Sequence, residues 1–156
     1  MDWFYNLRYG LRNLRSFFSV IWTFRGYDSY HTVEVLKRCL ELTKPEIKGF
    51  EGDEKAQRQI QSCIDCIDRL LKDDYCSKEW AEFDMKYGEL KHQIGEKNKD
   101  GFIPFTLYRE GGTEGKLDEQ TERKLSRKLY ELEAHRMNQD IETLFNTLKK
   151  FRNWWS

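Results

Sequence analysis

Apolar residues recur along the chain at helical spacing in five stretches. Trp3, Leu7, Leu11, Leu14, Phe18 and Ile21 step by 4, 4, 3, 4 and 3, which predicts an amphipathic first helix. Gly10 weakens that helix by about 1 kcal/mol relative to alanine without ending it. Gly26 ends it, and Asp28 reads as the N-cap of a second helix over Ser29 to Leu42, with Val33, Leu36 and Leu40 inward. Lys44-Pro45 closes that helix, and "KPEIKGFEGDE" is a connector. A third helix over Glu54 to Leu71 sets Ile60, Ile64, Ile67 and Leu71 on one face. "KDDYCS" turns the chain, and Ser77 opens a short helix faced by Trp80, Phe83, Tyr87 and Leu90.

Residues 91–117 break the pattern. They hold five glycines, one proline and the island "FIPFTLYRE", and predict an irregular excursion with a short extended pair. The last helix, Asp118 to Trp154, carries Leu125, Leu129 and Leu132, then Met137, Ile141, Leu144, Leu148, Phe151 and Trp155. The five-residue step from Leu132 to Met137 is a phase shift, at which the helix bends or changes partners. These elements predict an all-α fold: a bundle of four to five helices, with a long C-terminal helix and an irregular loop region around 91–117. Residues 1–156 read as a single helical domain. About 37 residues of helix span roughly 55 Å, more than a chain this size covers, so the end bearing Trp154 and Trp155 is expected to pack on another copy or a partner. A homo-oligomer is the expected state.

Composition narrows the class. Of 156 residues 35% are charged, 38% hydrophobic and 15% aromatic, with zero net charge, which fits a solvated helical protein rather than a disordered one. Basic residues outnumber acidic ones 8 to 5 over positions 1–50, and acidic outnumber basic 13 to 9 over 51–100. That asymmetry is too small for sequence-specific DNA binding. The longest apolar patch, "FFSVIWTF", is far short of the roughly 20 residues a transmembrane helix needs. With no secretory signal in "MDWFYNLRYG" and four sparse cysteines, the chain reads as cytoplasmic with reduced thiols.

A resemblance adds origin but no activity. "LRYGLRNLRSFFSVIWTFRGYDSYHTVEVLKRCLE", "CIDCIDRLLKDDY" and the ending "FRNWWS" resemble a group of small tailed-bacteriophage proteins of unknown function, over about half the chain. The resemblance implies a phage origin, hence a host-cell cytoplasm, and a helical fold. It supplies no catalytic residue.

Catalytic and metal signals are weak. Cys63 and Cys66 form one CxxC inside a helical stretch, without the second pair or close histidines of a zinc site. They read as small buried apolar residues, and no cofactor is expected. His31, His92 and His135 stand far apart, and no nucleophile or phosphate-loop motif is present. An enzyme with a dispersed site stays open as an alternative.

Binding chemistry concentrates near the first junction. "WTFRGYDSYH" places Trp22, Arg25, Tyr27, Tyr30 and His31 between two helices, and Arg8, Arg12 and Arg15 form a basic row beside the apolar stripe. Rings stack on bases, guanidinium groups pair with phosphates, and a helix N-terminus favours anions. The contrasting reading makes Arg25 a partner of Asp28 or of the first helix's carbonyls, and the arginine row a partner of acids elsewhere in the chain. The sequence thus predicts a non-enzymatic phage binding protein, with counter-defence sequestration of a nucleotide signal as one function. Inhibition of a host protein, or support of phage assembly, is the other.

Overall fold

The computed structural model describes residues 2–48, 52–99, 101–115 and 117–154. It is mostly helical, with α1 at Asp2–Thr23, α2 at Ser29–Thr43, α3 at Asp53–Lys72, α4 at Ser77–Tyr87 and α5 at Glu119–Leu148. Between α4 and α5 lie two strands, β1 (Glu89–Ile94) and β2 (Phe105–Glu110). The contacts group into two compact units: Met1–Asp73 with Met137–Ser156, and Asp74–Arg136.

Local chemistry sets the helix ends in the first unit. Asp28, in extended conformation, accepts a hydrogen bond from the Tyr30 amide at 2.9 Å, capping α2 as Asx residues do. Pro45 sits in a short 3-10 turn, Lys44–Glu46, after α2. Asp73 ends α3 in the left-handed region, φ 51°, with its amide donating to the Arg69 carbonyl at 3.1 Å.

The core of this unit is the apolar face of α3. Ile60, Ile64 and Ile67 are buried with Cys63 and Cys66, against Leu40 of α2, Ile47, Leu144 of α5 and Trp154. Val33, Leu36, Leu71 and Leu148 pack around them, partly buried. Arg69 fixes α3 to α5 by donating from Nε and Nη2 to the two Asp140 oxygens, at 2.7 and 2.6 Å. The paired geometry makes this stronger than an ordinary surface ion pair.

Two expectations about the first unit need correcting. The last helix stops at Leu148, and a 3-10 turn at Phe151–Trp154 follows. That turn carries Trp154 inward, so the ring is 5% exposed and is not surface left over for another copy; Trp155 lies outside the described residues. The second concerns the apolar stripe of α1, which a helix bundle would bury. Trp3, Leu7, Leu11, Leu14, Phe18 and Ile21 are all exposed, because α1 turns Ser16, Phe17 and Val20 toward its surroundings instead.

The second unit corrects the purely all-α expectation. β1 and β2 pair antiparallel, from Glu89 opposite Glu110 to Ile94 opposite Phe105. Leu90 therefore belongs to a strand and not to the preceding helix. Gly88 makes the change of direction: its φ is 93°, and a Cβ there would lie 2.7 Å from the Glu110 backbone, so only glycine fits.

Arg109 of β2 joins hairpin and helices. It donates to Asp84 (2.6 Å), the Gly88 carbonyl (2.7 Å) and Glu122 (2.7 Å), and its guanidinium lies over the Phe83 ring. Asp118 caps α5 by accepting from the Thr121 amide at 3.0 Å, and the Thr121 side chain together with that amide holds its carboxyl below its ordinary pKa. The Leu132-to-Met137 phase shift falls where α5 passes from one unit to the other, between Arg136 and Met137.

Candidate binding surface

Two chain features meet on α1, the arginine row and the apolar stripe, and each is built by helical spacing. Phe4, Leu7, Leu11, Leu14, Phe18 and Ile21 step by 3, 4, 3, 4 and 3, the heptad spacing of a coiled-coil seam. With Trp3 and Trp22 they form an apolar stripe of eight side chains, each between 44 and 73% exposed. Phe18 stacks on Trp22 at 5.5 Å, and Trp3 meets Phe4 edge-on at 4.8 Å. The helix that burial on the core would explain instead presents this face to solvent.

The arginines run along one flank of the stripe. Arg8 and Arg15 directly follow Leu7 and Leu14, and Arg12 lies between them, its guanidinium 4.6 Å from the Tyr9 ring centre. None of the three forms an ion pair or hydrogen bond among the described residues. Pairing of this row with acids elsewhere in the chain, which the charge distribution suggested, is therefore not made there. Tyr5, Arg8, Tyr9 and Arg12 border a shallow furrow of about 210 Å³, with the Tyr5 hydroxyl donating to that of Tyr9 at 3.0 Å. Their interaction raises the Tyr5 pKa above its ordinary value.

At the junction, Arg25 and His31 direct their polar groups to neighbouring parts of the chain. Arg25 Nη1 donates to the carbonyls of Phe24 (3.0 Å) and Trp22 (3.5 Å), at the C-terminal end of α1. This is carbonyl capping, in which the guanidinium meets the negative end of the helix dipole. His31 Nδ1 lies 3.0 Å from Glu34 Oε2, and its Nε2 lies 3.8 Å from Asp28. Carboxylates therefore surround the imidazole, which does not suit an anion site. Trp22, Tyr27 and Tyr30 stay exposed.

The cysteines sit apart from this surface. Cys63 and Cys66 are buried in α3, where burial and the neighbouring thiol push Cys63 up to about 11. Such a thiol stays protonated and unreactive at neutral pH. Among the described residues no group of His, Cys, Asp or Glu side chains is arranged to hold a metal ion, and no helix is long and apolar enough to cross a membrane.

Comparison with protein-family models, characterised proteins and solved structures finds no match.

The sequence signal for the α1 surface was present but pointed elsewhere. An amphipathic stripe reads first as a core face, and only its heptad step and the absence of any acid between Asp2 and Asp28 set it apart from one.

Proposed function

We propose that the protein works by non-covalent association, as an interaction module that uses α1 to engage another macromolecule. One observation carries this reading: a three-heptad apolar stripe, flanked by arginines that form no ion pair among the described residues, stands in solvent. Exposed apolar patches of this extent mark interaction surfaces. Within this proposal the chain is phage-encoded, as its resemblance implies, and acts by occupying a host protein or a phage assembly.

The test replaces two exposed stripe residues, Leu11→Asp with Phe18→Asp. Neither side chain belongs to the core, so circular dichroism and melting should change little. Proteins that co-purify with the wild-type chain should be lost from the variant. Recovery of the same bound proteins by both would sink the reading.

The furrow at Tyr5, Arg8, Tyr9 and Arg12 supports a second reading, sequestration of a nucleotide signal. Two rings and two guanidinium groups are the chemistry a base and a phosphate use. Its volume of about 210 Å³ lies below the roughly 300 Å³ at which enclosed ligand pockets begin, so such a ligand would stay largely in solvent. Ultraviolet absorbance beyond that of the protein, traced to a nucleotide by mass spectrometry and lost in Arg8→Ala, is its test.

A further inference from the structure

We propose that the occupant of the α1 face is an amphipathic helix of a partner protein, with acidic residues flanking its apolar seam. This inference rests on the binding role given to α1 above and names the chemistry of what binds.

Length and spacing argue for a helix. Phe4, Leu7, Leu11, Leu14, Phe18 and Ile21 extend over nearly the whole of α1, which at 22 residues is about 33 Å long. The heptad step keeps a seam facing a second helix along that length. Of the residues α1 turns inward, Ser16 and Val20 lie round the helix from this seam, while Phe17 sits at its edge on the side of Trp3 and Gly10; the seam itself stays open to a partner. The eight exposed stripe side chains present apolar surface on the order of 1,000 Å². That is comparable to the roughly 800 Å² each partner contributes to a standard interface.

Charge argues for an acidic partner. In the heptad that the seam defines, Arg8 and Arg15 hold the position just outside it, where coiled coils place the charges that select a partner. They have no ion pair among the described residues. A second copy of α1 would supply none, since Asp2 is the only acid in the helix. Paired antiparallel, it would set Arg8 beside Arg15 of the second copy; paired parallel, it would bring Trp3, Gly10 and Phe17 toward the arginines. An anionic membrane surface fits less well, because interfacial helices are rich in cations across the polar face. Here the other flank carries the exposed, uncharged Asn6 and Asn13.

Gly10 is the independent observation. It lies inside α1 with nothing within 4 Å of where its Cβ would stand, and it weakens the helix relative to alanine. Among the described residues no packing contact uses it. Its place is one helical turn from Leu7 and from Leu14, on the flank away from Arg8 and Arg15, where a missing side chain lets a second backbone approach closely.

The test is calorimetric titration of the intact protein with two synthetic helical peptides of three heptads. Both carry leucine along the seam, one with glutamate and the other with lysine at the flanking positions. The glutamate peptide should bind about tenfold more tightly or better, with an advantage that shrinks as salt is added. Arg8→Glu with Arg15→Glu should reverse the preference, and Gly10→Gln should weaken glutamate-peptide binding while circular dichroism stays unchanged. Equal affinity for both peptides, or binding of neither, overturns the acidic helix. So does a dimer in sedimentation that the peptide does not disrupt, or selective binding to phosphatidylserine vesicles. If vesicle binding or dimerisation is lost with Leu11→Asp and Phe18→Asp, α1 remains the binding element and only its occupant is wrong. If nothing the protein binds responds to those changes, the interaction reading falls as well.

Discussion

The indole Nε1 of Trp154 donates to Gln59 Oε1 at 2.9 Å across 95 positions of sequence. The ring it orients is buried with Ile60 and Cys63 in the same core. One end of the described chain is thereby locked onto α3.

From this pair the first prediction follows. Trp154→Ala should cost about 3–5 kcal/mol of stability, the range for truncating a large buried aromatic. Gln59→Ala should cost about 1 kcal/mol, since it removes one hydrogen bond and leaves the ring in place. Denaturant unfolding of both variants checks the difference. Equal, small losses would show that the ring contributes little to the core.

At the first junction, Arg25 and Asp28 separate capping from ligand contact. Arg25→Ala should lower stability by less than about 1 kcal/mol, because the carbonyls it caps are solvent-accessible. It should also leave binding by α1 unchanged. Asp28→Ala should cost about 1 kcal/mol through the lost cap of α2. Melting and binding measured on the same proteins decide it. Loss of binding with unchanged melting in Arg25→Ala would return this residue to the binding site.

Arg109 carries the hairpin's connection to α4 and α5, with its side chain 9% exposed between Asp84 and Glu122. Arg109→Met should cost about 1–3 kcal/mol, because the partly exposed Asp84 and Glu122 carboxylates and the Gly88 carbonyl lose a shared donor while the carboxylates keep access to water. Hydrogen exchange should accelerate across residues 89–110. Lys91→Met, which breaks an exposed pair with Glu110, should leave melting nearly unchanged.

The thiols give a pH dependence with a definite sign. Burial holds Cys63 up to about 11 from its ordinary 9.0. A raised pKa means the unfolded chain loses this proton first, so the stability it carries is complete below about pH 9 and is lost as pH rises toward 11. The loss should reach about 2 kcal/mol, and Cys63→Ala should flatten it. In the native protein at neutral pH the exposed Cys39 should react with iodoacetamide well before Cys63 and Cys66. Simultaneous labelling of all three would mean the core of α3 opens readily.

Local rules made much of the framework legible. Asp28 as a cap, Pro45 after α2, and the inward face of Ile60, Ile64 and Ile67 follow from spacing over a few residues, and the structure has each where spacing placed it. Even the five-residue step at Leu132 marks where α5 changes units, since a phase slip in an apolar stripe records a change in what the stripe faces. The strand at Leu90 was not legible. Trp80, Phe83, Tyr87 and Leu90 keep helical spacing, and only the positive φ of Gly88 against the Glu110 backbone breaks it.

The sequence by itself determined that α1 is an amphipathic helix with three arginines beside its apolar stripe, because side-chain spacing fixes which residues share a face. It could not determine whether that face is covered. Tertiary structure decided this by giving the core to α3 and Trp154, and by turning Ser16, Phe17 and Val20 of α1 inward. The physical reason is that apolar periodicity is identical in a core helix and a docking helix, and only the positions of distant residues distinguish them.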